Sequence, residues 1–157
     1  MPTNNIQQNS KILTEPYIVF QLGETTYSIN CKFVQQLEMI EHITPVPNAP
    51  DFVDGVVMSR GQVIPVINLR VRFGLPKSQI TLKSRLIVVK YQERTAGLLV
   101  DSCKEFINIP EDTVKPPPQL VSSVDNGFIS GVTMLGEKPV FILDVAKTIS
   151  ELNNTNM

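Results

Sequence analysis

The sequence predicts a mainly β fold: two small barrels of about five strands each, built in tandem, with short helices and a helix at the C-terminal end. Three observations carry that prediction. Short apolar runs recur at close spacing along the 157 residues, separated by glycine or polar turn residues. Pro45, Pro47 and Pro50, and later Pro116-Pro117-Pro118, interrupt the runs where a helix would have to continue. The chain also carries a faint copy of itself. Ile18-Val19-Phe20 falls on Ile87-Val88-Val89, Tyr27-Ser28-Ile29 on Ala96-Gly97-Leu98, and Val34, Leu37 and Ile40 on Cys103, Phe106 and Ile109. Further on, Phe52-Val53-Asp54-Gly55-Val56-Val57-Met58 falls on Phe128-Ile129-Ser130-Gly131-Val132-Thr133-Met134. A tandem repeat of this kind describes two similar β units and a junction between them, where a groove is expected.

The elements follow in order. Residues 17–22 are rich in strand formers, Gly23-Glu24 marks a turn, and 26–30 alternate, so the chain opens on a hairpin. Val34, Leu37 and Ile40 stand three apart in a short stretch, which predicts a brief helical turn leading into a strand. The prolines at 45, 47 and 50 impose a stiff, extended connection. Two apolar runs, 52–58 and 63–69, flank Ser59-Arg60-Gly61-Gln62; Gly61 supplies a positive backbone angle and Arg60 sits at the hairpin tip. Asn68 is placed to cap a short helix over 69–73 that Gly74 and Pro76 stop. The polar stretch 77–83 is the midpoint. The second copy repeats the plan with strands over 85–91, 96–100 and 104–109, a rigid triple proline, and a last hairpin turning at Gly136-Glu137-Lys138. Asp144 caps a terminal helix with Val145, Ile149 and Leu152 on one face. Gly55 and Gly131, at matching places in the two copies, read as structural turn positions.

Composition narrows the function. The net charge is −1 and no apolar run reaches the ~20 residues of a membrane helix, so a soluble, cytoplasmic protein without membrane insertion is expected. Cys31 and Cys103 lie in apolar stretches and read as small buried hydrophobes. Eight basic residues (Arg60, Arg70, Arg72, Lys77, Lys83, Arg85, Lys90 and Arg94) stand against Glu93 alone between positions 60 and 94. That stripe reads as a solvated face or a surface for an acidic protein partner; a nucleic-acid module would add exposed aromatics or a strongly basic total. Catalytic sets are hard to assemble. His42 is the single histidine and the two cysteines lack metal-ligand spacing. Asp101 with Glu105, and Glu38 with Glu41, are the carboxylate pairs that an acid–base reading would need. No phosphate loop or dinucleotide fingerprint is present. The reading is a binding protein, not an enzyme, with no cofactor and no metal.

The residues resemble a known family. Phe20-Gln21-Leu22-Gly23-Glu24-Thr25-Thr26-Tyr27-Ser28-Ile29 looks like the opening hairpin of the CheW family, the coupling proteins of bacterial chemosensory arrays. Val46-Pro47-Asn48-Ala49-Pro50 followed by Val53-Asp54-Gly55-Val56 is similar to that family's proline loop and next strand. Arg60-Gly61-Gln62-Val63-Ile64-Pro65-Val66-Ile67-Asn68-Leu69 resembles its hallmark Arg-Gly-x-x-x-Pro-x-x-Asp-Leu, and Gly97-Leu98-Leu99-Val100-Asp101 and Gly131…Ile142-Leu143-Asp144 follow it too. The resemblance spans residues 17 to about 152.

It implies a single CheW-like domain over 17–152, made of two five-stranded SH3-like barrels at about 17–76 and 84–145, between a flexible segment 1–16 and a tail 153–157. It also implies a non-catalytic adaptor that binds the cytoplasmic tip of chemoreceptors and the regulatory domain of a CheA-type histidine kinase, with other CheW-like domains as neighbours in rings. The output is chemotaxis or motility; a specialised pathway such as type IV pilus twitching or phototaxis is the alternative, and a nucleic-acid-binding SH3-like module a distant one. Carried over by motif, the receptor or array contacts are Val34, Gln36, Leu37, Ser59, Arg60 and Gly61. The chain departs from the family pattern at four places: Gln36 where an acid is usual, Ser59 for a leucine, Asn68 for an aspartate, and Cys103 for a small or β-branched residue.

Overall fold

The computed structural model describes residues 13–117 and 127–152. Among these, ten strands are formed: β1 (Thr14–Leu22), β2 (Thr25–Asn30), β3 (Val34–Glu38), β4 (Val53–Ser59), β5 (Gln62–Asn68), β6 (Arg85–Tyr91), β7 (Arg94–Val100), β8 (Ser102–Pro110), β9 (Ile129–Leu135) and β10 (Lys138–Leu143). Short helices follow β5 (Leu69–Arg72) and β10 (Val145–Thr148). The strands make two five-stranded sheets, in the orders β8-β1-β2-β10-β9 and β3-β6-β7-β5-β4.

Neither sheet is built from one half of the chain. Four of the eight strand pairs, β8-β1, β2-β10, β3-β6 and β7-β5, join the first half to the second. The barrels expected at 17–76 and 84–145 are therefore not contiguous: each takes two strands from one copy and three from the other. The physical reason lies after β2. Asn30 Oδ1 accepts from the Lys32 N–H at 2.9 Å, capping a 3-10 turn (Cys31–Phe33) that carries the chain out of the first sheet. β3 then pairs with β6, Leu37 opposite Ile87 and Glu38 opposite Leu86. The brief helical turn before that strand is the one expected from the 33–40 stretch, displaced to its start.

The start of the chain also differs from expectation. β1 begins at Thr14, inside the segment expected to be flexible, and Pro16 pairs with Asn108 of β8. The pairing with β2 stops at Tyr17 opposite Asn30, so Pro16 has an open side where its missing N–H costs no ladder bond. The polar leader up to residue 12, the last proline of the triple and the 153–157 tail lie outside the described residues.

Each sheet curls back on itself through an equivalent crossing. Thr44 and Val56 exchange backbone hydrogen bonds at 2.9 and 2.8 Å, linking the segment after β3 to β4; Lys115 and Val132 do the same at 2.9 Å each, linking the segment after β8 to β9. Beside each crossing stands a glycine, and neither is a turn residue: Gly55 lies inside β4 and Gly131 inside β9. A Cβ on Gly55 would lie 2.2 Å from the Thr44 carbonyl oxygen, and one on Gly131 2.8 Å from Val114 Cγ1. The glycines let the closing segment approach the strand.

The helix caps are equivalent as well. Asn68 Oδ1 accepts from Val71 N at 3.2 Å and Asp144 Oδ1 from Lys147 N at 3.0 Å, each satisfying a donor of the first turn. The Asn68 and Asp144 N–H groups in turn donate to the carbonyls of Phe52 and Phe128, both at 2.7 Å. Both helices are single turns, shorter than the stretches over 69–73 and 145–152 predict.

The junction between the sheets is filled by a shared core. Ile18, Phe20, Leu22 and Ile29 of the first sheet and Ile67, Ile87, Val89 and Leu98 of the second form one buried cluster with the two helices. Strand alternation then sends Leu86, Val88, Leu99, Ile64 and Val66 to the other face, into a second cluster inside the second barrel. β6 is thus buried on both faces, which explains its unbroken Leu86-Ile87-Val88-Val89 run. Arg72 stitches the layers: its guanidinium lies 3.9 Å from the Phe52 ring centroid and 4.6 Å from that of Phe128, and it donates to the carbonyls of Thr148 and Lys147 and to Glu151.

Candidate functional site

The β4-β5 hairpin is the most prominent functional feature. Ser59 and Gln62 pair across a two-residue turn, Arg60-Gly61, in which both residues have positive φ, 50° and 80°. That combination is the type I′ turn matching the twist of the flanking strands. Arg60 accepts left-handed backbone geometry that glycine usually fills, and its exposed side chain makes no ion pair among the described residues. Directly behind the tip, Met58 and Val63 are cross-strand partners with 68% and 61% of their surface exposed. The tip is therefore a cation set on an apolar pedestal.

Of the other residues expected to make contacts, Ser59 and Gly61 belong to this hairpin and Gln36 is brought to it. Gln36 Nε2 donates to Ser59 Oγ at 2.6 Å and also to Glu38 Oε2, and the Ser59 hydroxyl donates to Glu38 Oε2 at 2.7 Å. This ring fastens β3 to β4, the two edges of the second sheet. Ser59 itself is only 6% exposed, so it supports the tip from beneath and offers little surface to a partner. Leu37 points the other way along β3 and is 37% exposed, while Val34 is half-buried against the core shared by the sheets. Glu38, Met58 and Val63 were not singled out as contacts by sequence reasoning; the period-2 alternation of β3, which puts Glu38 beside Gln36, was the available signal. A groove of about 780 Å³ runs from this ring past Met39, Glu41 and His42 to Arg60. A smaller one, about 300 Å³, lies along the proline loop between Pro47, Pro50, Pro65 and Arg94.

The family model for the CheW-like domain matches residues 16–153. This chain belongs to the CheW-like domain family. Similar curated proteins include the chemotaxis protein CheW of Helicobacter pylori, 31% identical over 92% of this chain and 86% of that protein, and that of Treponema pallidum, 30% identical over 85% and 81%. Among solved structures, the crystal structure of the scaffolding protein TtCheW from Thermoanaerobacter tengcongensis superimposes with a TM-score of 0.81 at 33% identity, covering 88% of this chain and 94% of that one. The two five-stranded sheets are those of the CheW-like fold.

Within that fold the departures from the CheW pattern acquire partners. Asn68 Nδ2 donates to Asp54 Oδ2 at 3.0 Å, while Lys77 pairs with Asp54 Oδ1 at 3.2 Å. An aspartate at 68 would set two carboxylates face to face; the amide caps equally well and adds a donor. In the second copy the acid is Asp144 and the residue matching Asp54 is Ser130. Cys103 packs against the core shared by the sheets, and burial pushes its thiol up to about 11, Arg85 pulling it down slightly. Burial raises Cys31 too, so both sulfurs stay protonated and poorly nucleophilic at neutral pH.

The remaining chemical candidates are dispersed. Asp101 is held by Arg70, Nη2 to Oδ2 at 2.6 Å and Nε to Oδ1 at 2.9 Å, and accepts from the Gly23 N–H at 2.7 Å, whereas Glu105 is exposed on β8. His42 is exposed, and no group of three metal-ligating side chains occurs among the described residues. Five of the eight residues of the basic stripe are engaged internally: Arg70 on Asp101, Arg72 between the phenyl rings, Lys77 on Asp54, Arg85 on the carbonyls of Leu82 and Ser84, and Arg94 on that of Ile149. Among the described residues, no helix is long and apolar enough to cross a membrane.

Proposed function

We propose that this chain is a non-catalytic adaptor coupling the cytoplasmic tips of chemoreceptors to the regulatory domain of a CheA-type histidine kinase in a bacterial chemosensory array, working in the cytoplasm beside membrane-bound receptors. The observation that carries this reading is the exposed Arg60, without an ion-pair partner among the described residues, at an I′ turn on a CheW-like fold, flanked by Met58 and Val63. An apolar patch around a guanidinium of fixed direction suits a protein surface carrying carboxylate or carbonyl acceptors. Val34, Gln36, Leu37, Ser59, Arg60 and Gly61 make up the proposed contact edge, with Ser59 acting from beneath. Other CheW-like domains are proposed neighbours in rings. The internal commitment of five of the eight midchain basic residues argues against nucleic acid, which needs cations free to meet phosphates.

Co-purification with a CheA-type kinase and with receptor cytoplasmic fragments tests the proposal. Arg60→Ala is expected to weaken that capture by about 1–3 kcal/mol with the fold unchanged. Unaltered capture would remove Arg60 from the contact edge, and failure of the wild-type chain to bind either partner would refute the adaptor reading.

A further inference from the structure

Two of this chain's departures from the family pattern, Gln36 and Ser59, are bonded to each other. The second copy supplies an internal comparison, because the positions matching Gln36, Glu38 and Ser59 are Glu105, Ile107 and Leu135. One copy thus combines amide, acid and hydroxyl; the other combines acid and two apolar residues. Each set is self-consistent. In the first, the amide supplies both N–H groups, to Ser59 and to Glu38, and the hydroxyl proton goes to the same carboxylate. An acid at 36 beside Glu38 would leave two carboxylates around one hydroxyl proton, and leucine at 59 would remove the hydroxyl that joins amide to carboxylate at a half-buried site.

From this we infer that Gln36, Glu38 and Ser59 act as one specificity-determining unit, which ties the Glu38 carboxylate into the ring so that the hairpin tip presents Arg60, with no ion-pair partner among the described residues, to an acidic partner surface. Ser59 is the last residue of β4 before the turn and pairs with Gln62 across it, so its side-chain anchor sets the direction of Arg60. These are positioning residues; the contact is made by Arg60. The inference rests on the adaptor reading for the identity of the partner but not for the unit itself.

The test uses the full chain and two readouts. Amide exchange at Ser59 and Gln62, the pair that closes the turn, needs no partner, and capture by the CheA-type regulatory domain reads specificity. Gln36→Glu and Ser59→Ala are each expected to speed exchange about tenfold and to weaken capture about tenfold. The double change Gln36→Glu with Glu38→Gln exchanges acid and amide around the same hydroxyl, so exchange should return to within about threefold of wild type. Its capture should stay weakened, because the charge has moved two residues along β3. Exchange that the single changes leave untouched, or that the double change fails to restore, overturns the unit. Capture restored in step with exchange reduces it to a stability device and overturns the specificity claim. Wild-type chain that captures nothing refutes the adaptor reading, while the exchange result still decides the unit.

Discussion

Gly55→Ala should cost the fold much more than Gly131→Ala, although the two glycines occupy matching places beside matching crossings. At Gly55 the new Cβ would meet backbone, 2.2 Å from the Thr44 oxygen and 2.7 Å from its carbonyl carbon, at a φ of 147° that L-residues rarely adopt. The closing segment must back away, breaking the two bonds between Thr44 and Val56. Backbone strain of about 1–3 kcal/mol and about 0.5–1.5 kcal/mol for each lost bond sum to roughly 2–6 kcal/mol. At Gly131 the backbone angle is ordinary and the nearest atom is a methyl of Val114 at 2.8 Å, with the Lys115 oxygen at 3.1 Å. A valine side chain can shift, so the cost is about 1–2 kcal/mol. Urea unfolding followed by circular dichroism measures both as a change in midpoint at constant slope. In heating, the same difference appears as a loss of about 10 °C or more for Gly55→Ala against a few degrees for Gly131→Ala. Equal losses, or a larger one at Gly131, would refute the claim that the close crossing rather than glycine content dictates these positions.

Three further outcomes are expected. Hydrogen bonds from Arg70 and from the Gly23 N–H hold Asp101 below the usual carboxylate range against the opposing effect of burial, so its contribution is present above the unfolded-state value near ~4 and is lost as pH falls through the lowered folded one. An acid titration of stability should therefore be flatter for Asp101→Asn below about pH 4 than for the wild type, and parallel acid limbs would contradict this. Arg72→Ala should destabilise by about 2–4 kcal/mol in chemical unfolding, with Arg72→Lys recovering less than half, because a planar guanidinium stacks between two rings as an ammonium cannot; full recovery by lysine would argue that charge alone matters. Cys103, with its thiol raised to about 11, should react with a maleimide or disulfide reagent far more slowly in the folded chain than after unfolding. Rapid labelling of the native protein would reopen a thiol chemistry.

What the sequence revealed followed the range of the interactions. The caps at Asn68 and Asp144 and the I′ tip at Arg60-Gly61 depend on neighbours three or fewer residues away, and composition alone locates them. The strand exchange depends on pairings such as Val66 with Gly97 and Val140 with Thr26, which hydrophobic patterning does not specify because either copy's strands would satisfy it. The same limit hid the crossings: Gly55 reads as a turn in one dimension and answers to Thr44 in three. Gln36 and Ser59 looked like two unrelated departures until β3 and β4 closed over them.

The exchanged sheets make this single chain the tethered equivalent of a swapped dimer. Its halves are joined by the 76–84 stretch, yet each leaves half of its hydrogen-bonding edges to be completed by the other. A tether of that length keeps the complement at high effective concentration, so the halves find each other before any outside copy can intrude. Cut from that tether, one half would have its nearest substitute for the missing complement in a second molecule of itself, since the strands it lacks are equivalents of strands it already owns. A symmetric homodimer of a half-length ancestor, later joined head to tail, would leave this topology, and fusion would have freed the two copies to acquire different tips.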